Sequence, residues 1–168
     1  MAVDTSKIGT PTSRAAVTVE RSVLTSFARA VKDESPVYAD ATAAQAAGFD
    51  GIPAPPTYPI AMEFWGKYPE DQPAEAGDTN MILGEIVGPL MAKGGIILHG
   101  EQEFIYHRPI QAGDSLLKDG KVADIYEKET SSALMTFIVT EDTWSDAATG
   151  EPVATARMNL IHRGAREA

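Results

Sequence analysis

The chain has 168 residues and 43% hydrophobic content, enough for one domain with a real core, since chains of this size bury about 70% of the surface they expose when unfolded. Its 24 Asp and Glu outnumber its 14 Lys and Arg, and a formal charge of -10 repels a phosphate backbone, which excludes nucleic acid as a natural partner. There is no cysteine, so a disulfide framework, a thiolate nucleophile and Cys-ligated zinc are excluded, and the composition fits a reducing cytoplasm.

Residues 1–14 mix Asp4, Lys7 and Pro11 with small polar residues and lack the apolar core of a secretory signal. A loose N-terminal arm is expected there, followed by a single domain over residues 15–163 and a C-terminal tail, 164–168. Ala16-Val17-Thr18-Val19 alternates and reads as a strand. Val23, Phe27 and Val31, flanked by Leu24 and Ala28, recur at helical spacing and predict a helix with one buried stripe. That helix must stop before Pro36. A short helical turn over residues 41–47 ends at Gly48, a natural C-terminal cap. Pro53, Pro55 and Pro56 stiffen the next segment, and residues 58–66 carry Ile60, Met62, Phe64 and Trp65 in a run apolar nearly all round, the pattern of a buried helix. Residues 68–80, rich in Pro, Asp, Glu and Gly, read as a surface loop. Residues 81–90 are apolar but interrupted by Gly84, Gly88 and Pro89, a pattern that fits a short helix and irregular lining equally.

From Ile96 onward the runs are strand-like: residues 96–107, 115–126, 133–144 and 153–162, separated by Ala112-Gly113-Asp114, Lys128-Glu129-Thr130 and Thr149-Gly150-Glu151-Pro152. In the last run Ala154, Ala156, Met158 and Leu160 share one face and Thr155, Arg157 and Asn159 the other, so one face is expected buried and one wet. The longest apolar runs, Ile96-Ile97-Leu98 and Met81-Ile82-Leu83, fall far below the roughly 20 residues that cross a bilayer, and no membrane insertion is expected. Helices first and consecutive antiparallel strands after them make an α+β chain.

Asp33-Glu34-Ser35-Pro36-Val37-Tyr38, ahead of Ala46-Ala47-Gly48-Phe49, resembles the active-site segment Asp-x-Asn-Pro-(Ile/Leu)-His, followed by Ala-Gly-Phe, of the MaoC-like (R)-specific hydratases and dehydratases. Asp33 and Pro36 match, Ser35 stands for the Asn, and Tyr38 stands for the catalytic His. Gly51-Ile52-Pro53-Ala54-Pro55-Pro56-Thr57, Gln102-Glu103-Phe104, Tyr106-His107-Arg108-Pro109-Ile110 and Ala112-Gly113-Asp114 follow in order. From about Ala15 to His162 the chain therefore resembles the N-terminal-type, HadA-like dehydratase subunits. The resemblance implies a hotdog fold, an antiparallel sheet wrapped around a central helix at residues 58–66. It also implies pairing into a continuous sheet, as a homodimer or with a catalytic MaoC-type chain, an acyl-CoA or acyl-carrier-protein thioester substrate, and no cofactor.

In that family's chemistry an imidazole takes a proton and the paired Asp helps orient water. A phenol with a pKa near 10 is ionised in only about one part in a thousand at pH 7, and loss of a positioned base costs about 10²- to 10⁴-fold in rate. Tyr38 is thus a poor replacement. The expected role is the substrate-holding subunit of an (R)-specific 3-hydroxyacyl-thioester dehydratase or enoyl-thioester hydratase, active with a MaoC-type partner, with Pro55, Thr57, Gly100 and Gln102 touching substrate. The alternatives are a homodimeric hydratase using Asp33 with His99, and a non-catalytic acyl-thioester-binding module. Thioesterase activity ranks below these, because fold does not settle chemistry. A plainer reading makes Asp33 a turn residue and Tyr38 a core aromatic.

On an unbroken strand His99, Glu101, Glu103 and His107 would share a face suited to a metal. Alternating carboxylates on a wet face are commoner, and Gly100 can break the register, so no metal is expected. His99 remains the candidate base, His107 is assigned to holding the turn at Ala112-Gly113-Asp114, and His162 has no partner in sequence. Lys93 and Arg108 suit the phosphates of coenzyme A or phosphopantetheine and suit plain surface charges equally. Lys93-Gly94-Gly95 lacks Walker or Rossmann spacing and reads as a turn, and no Gly-x-Ser-x-Gly elbow is present.

Overall fold

The structure, a computed structural model, describes residues 4–165. Its frame is a five-stranded sheet in the order β1-β3-β4-β5-β2, built from β1 (Pro11–Thr18), β2 (Ile96–Tyr106), β3 (Ser115–Glu129), β4 (Ala133–Asp146) and β5 (Pro152–Ala165). Every neighbouring pair is antiparallel. Three α-helices, α1 (Arg21–Ala30), α2 (Ala41–Ala46) and α3 (Thr79–Met91), complete an α+β hotdog architecture.

The sheet's packed face carries two apolar clusters. One joins Val17, Leu24, Tyr58, Met62, Leu116 and Trp144. In the other, Ile82, Leu83, Ile86, Val87 and Leu90 of α3 lie against Val122, Ile125 and Ile138 of β3 and β4. The segment whose apolar pattern was open between helix and irregular lining is therefore the longest helix of the fold, with Pro89 inside its last turn.

Residues 58–66, expected as the central helix, form only a 3-10 helix, Tyr58–Glu63. Tyr58, Pro59, Ala61 and Met62 are buried, whereas Phe64 and Trp65 are 76% and 52% exposed. The reason lies in β1. Thr18 N–H donates to the Gly66 carbonyl at 2.9 Å, and Gly66 meets it at φ +77, where a side chain's Cβ would lie 2.2 Å from the Thr18 carbonyl oxygen. The chain must unwind there to make that bond, so the 3-10 helix and α3 share the packed face.

Two further expectations shift. The stripe of α1 is rotated by one position: Leu24 and Ala28 are fully buried, Val23 and Phe27 flank them, and Val31 is exposed beyond the helix end. At the N-terminus, β1 begins at Pro11, and Gly9 and Thr10 already exchange backbone hydrogen bonds with Val122 at 2.8 and 2.9 Å. Residues 11–14 thus belong to the sheet, with Gly9 and Thr10 bonded to its edge. Among the described residues β2 pairs on one side only, with β5, and its flanks expose Ile96, Leu98, Ile105 and Tyr106. No helix among the described residues is long and apolar enough to cross a membrane.

Candidate functional site

The first of two cavities, about 620 Å³, lies between the 3-10 helix, the start of α3 and the packed face of the sheet. Strand register builds its floor. Lys118 of β3 sits opposite Trp144 of β4, Gly120 opposite Asp142, and Asp142 opposite Ala156 of β5, which faces Phe104 of β2. These positions alternate inward with Leu116 and Val122, so a lysine occupies a place that the period of a strand reserves for apolar side chains.

Lys118 is 1% exposed. A buried ammonium costs several kcal/mol unless it is paired, and here its Nζ donates to Glu63 Oε1 at 2.6 Å, stands 3.9 Å from Asp142 Oδ2 and lies over the Trp144 ring at 5.7 Å from the centroid. Glu63 is held on its other oxygen by Lys67 at 3.2 Å. Burial pushes the Asp142 carboxyl up to about 6; Lys118 and Lys67 oppose that shift and Glu63 adds to it. Asp142 Oδ1 and Thr12 Oγ1 are buried and have no hydrogen-bond partner among the described residues. Only a glycine at position 120 lets both oxygens pack there, since a Cβ would lie 2.2 Å from Thr12 Oγ1 and 2.3 Å from Asp142 Oδ1. Sequence reasoning missed this cluster, and its one signal was the lysine on the inward face of β3.

His99 and Gln102 both line this cavity because β2 bulges at Gly100. His99 pairs with Leu160 and Glu101 with Asn159, so one residue is skipped. A Cβ at Gly100 would lie 2.5 Å from Ile161 Cδ1. The extra residue flips the alternation, which leaves His99 facing inward with Gln102 and Phe104 while Glu101 and Glu103 face outward. Asn159 Nδ2 donates to Glu101 there at 2.9 Å. The shared His and Glu face that a metal would need is therefore not formed, and the described residues hold no group of His, Asp and Glu suited to a metal ion.

Asp33 and Tyr38 lie in a second cavity, about 630 Å³, with Thr25, Ser35 and Pro36. The chain leaves α1 through Lys32 at φ +59, the Asp33 N–H donates to the Ala28 carbonyl at 2.9 Å, and the Asp33 carboxylate accepts from Ser35 N–H at 3.0 Å. Asp33 thus closes the turn after the helix. Thr25 Oγ1 donates to the Tyr38 carbonyl at 2.8 Å. Burial, and then the charge of Asp33, raise the Tyr38 phenol above the ordinary tyrosine range, the opposite of what a general base requires.

Asp33 and Tyr38 are brought together, and His99 lines the other cavity. Pro55, Thr57 and Gly100 line neither. The segment holding Pro55 and Thr57 is tied to β2 by the Tyr106 hydroxyl, which donates to the Pro56 carbonyl at 2.5 Å and which burial pushes up to about 12. Arg108 donates to Asp114 at 2.7 Å and to Asp146 at 3.1 Å, and Asp114 also accepts from Gln111 N–H at 2.9 Å. Arg108 therefore clasps the turn at residues 112–114, the work expected of His107, whose own backbone N–H bonds the Val153 carbonyl at 2.9 Å. His162 is buried, with Nε2 2.8 Å from the Gly94 carbonyl oxygen.

A hotdog sheet carrying this Asp33 segment is the arrangement of a MaoC-like dehydratase. Residues 6–156 match the family described as FAS1-like, dehydratase domain region, and the chain belongs to that family. It is 35% identical over 149 residues to a UPF0336 protein of Saccharopolyspora erythraea, spanning 89% of this chain and 83% of that one. It is also 35% identical over 171 residues to a UPF0336 protein of Streptomyces coelicolor, spanning 100% of both. Among solved structures it resembles a chain of the ChsH1-ChsH2 complex from Mycobacterium tuberculosis, with a TM-score of 0.72, 22% identity, and coverage of 95% of this chain and 87% of that one. It likewise resembles a chain of the C-terminally truncated HadBC (3R-hydroxyacyl-ACP dehydratase) complex from the same organism, with a TM-score of 0.63, 22% identity, and coverage of 96% and 99%. At that identity both likenesses speak for the fold.

Proposed function

We propose that this chain is the substrate-holding subunit of an (R)-specific 3-hydroxyacyl-thioester dehydratase or enoyl-thioester hydratase of the cytoplasm, and that a homologous partner supplies the acid and base. The observation that carries this reading is the state of the Asp33 segment. Its carboxylate is spent on a turn and its neighbour is a phenol held protonated. Dehydration takes a proton from the α-carbon and delivers one to the departing C3 hydroxyl, so both groups must be positioned at once. This chain contributes the acyl cavity with Gln102 on its wall, while Tyr38, in the second cavity, and Pro55, Thr57 and Gly100, outside both, are left with supporting roles.

The unpaired edge of β2 supports a second chain, as does the fact that the two structural relatives are named as complexes. The acyl thioester, carried by coenzyme A or a carrier protein, is supported by the family and by the substrate that the HadBC complex is named for. The test is crotonyl-CoA hydration by the purified chain, alone and with the partner that copurifies with it. The chain alone is expected to be slower by at least about 10²-fold, and an equal rate alone overturns the proposal.

A second reading, a homodimer in which Asp33 works with His99, is supported by one fact: His99 is exposed on the outermost strand and faces the first cavity. His99→Ala abolishes activity under this reading and leaves it nearly unchanged under the first. Tight acyl-CoA binding without turnover, with or without any partner, would identify a purely binding module instead.

A further inference from the structure

We propose that the floor of the first cavity, the one lined by Lys118, is a subsite for a hydroxyl group carried on the distal part of the acyl chain, so that this subunit selects oxygenated acyl thioesters over plain alkyl ones. The proposal rests on the reading of that cavity as the acyl site. A cavity built for a hydrocarbon tail ends in apolar side chains. This one is lined on its sheet side by Lys118, which is 1% exposed, with Glu63 and Asp142 around it.

An ammonium has three donors. Among the described residues the Lys118 ammonium makes one hydrogen bond, to Glu63, and at 3.9 Å the Asp142 oxygen is too far for a second. Beside it stands Asp142, which also lines the cavity and whose side chain keeps 19% of its surface exposed. The floor therefore offers a donor and an acceptor side by side, the complement of an alcohol, which accepts from one and donates to the other. An alkyl terminus leaves both groups desolvated and unsatisfied, the costly outcome for buried polar atoms. A carboxylate terminus fares worse, because Glu63, Asp78 and Asp142 line the cavity against only Lys67 and Lys118.

The experiment is calorimetric titration of the purified chain, with its copurifying partner where there is one. The probes are alkanoyl-, ω-hydroxyalkanoyl- and ω-carboxyalkanoyl-CoA in a series of matched chain lengths. At the length that reaches the floor, the hydroxy thioester is expected to bind at least about tenfold tighter than the alkyl one, about 1.4 kcal/mol. Asp142→Leu, close in volume and without an acceptor, is expected to bring that ratio within about threefold by tightening the alkyl thioester. If thermal melting shows that this variant does not fold, the double variant Glu63→Leu/Lys118→Met replaces the ion pair as a unit and is expected to erase the preference in the same way. A flat ratio at every length, or tightest binding of the carboxy thioester, overturns the subsite and leaves the acyl-site reading standing. Binding of none of the three, alone or with the partner, overturns that reading and the subsite with it.

Discussion

Asp142→Asn tests the charge balance of the cavity floor through stability alone. The Asp142 carboxyl rises from 3.8 to about 6 in the folded chain, and each unit is worth about 1.36 kcal/mol, so its ionisation opposes folding by about 3 kcal/mol once both states are charged. Its side chain is only 19% exposed, so solvent screening removes little of that. Because the folded pKa lies above the unfolded one, the folded state holds the proton more tightly. The contribution of this group is complete below pH 3.8 and is lost as the pH rises through about 6. Wild type is therefore expected to lose about 2 kcal/mol relative to Asp142→Asn between about pH 4.5 and pH 7.5. Urea unfolding of both proteins at the two pH values reads this directly, since the remaining carboxylates are common to both and cancel in the difference. A difference that stays flat refutes the reasoning. So does a loss of relative stability on acidification, because it would mean that Lys118 stabilises the Asp142 charge more than burial penalises it.

Gly66→Ala places a Cβ against the Thr18 carbonyl oxygen at a positive φ and is expected to cost at least about 2 kcal/mol in urea unfolding; a cost below about 0.5 kcal/mol would show that the segment after the 3-10 helix shifts freely. The double substitution Leu98→Asp/Ile105→Asp puts charge on the exposed flanks of β2 and is expected to weaken assembly by tenfold or more, read as a drop in mass by light scattering on dilution. An unchanged mass would place the joint elsewhere.

Most of the sheet was legible because four long runs, rich in β-branched and aromatic residues, stand between unmistakable turn sequences, and each of those four strands lies within three residues of its expected bounds, whereas β1 starts five residues early. The segment from Asp33 to Tyr38 was legible because its chemistry sits in consecutive residues. Two things were not. Ile60, Phe64 and Trp65 satisfy an all-round apolar pattern whether the chain stays helical or unwinds, and the choice was made by a hydrogen bond from Thr18 in another element. The charged cavity floor was hidden for a similar reason. Lys118 finds Glu63 at a separation of 55 residues and Asp142 on the neighbouring strand, and periodicity reports where a side chain points but not whom it meets. The bulge at Gly100 was anticipated as a break in register, yet which side of β2 His99 would take depended on counting the skipped residue.

That skipped residue gives β2 a phase. Upstream of Gly100 the odd-numbered side chains look into the hollow, and downstream the even-numbered ones do. Remove one residue between His99 and Glu101 and the upstream half swings through half a turn, turning Leu98 toward the cavity where an imidazole had been and His99 to the opposite face. The strand thus encodes two alternative walls, one oily and one able to exchange protons, and the length of the chain at a single point chooses between them.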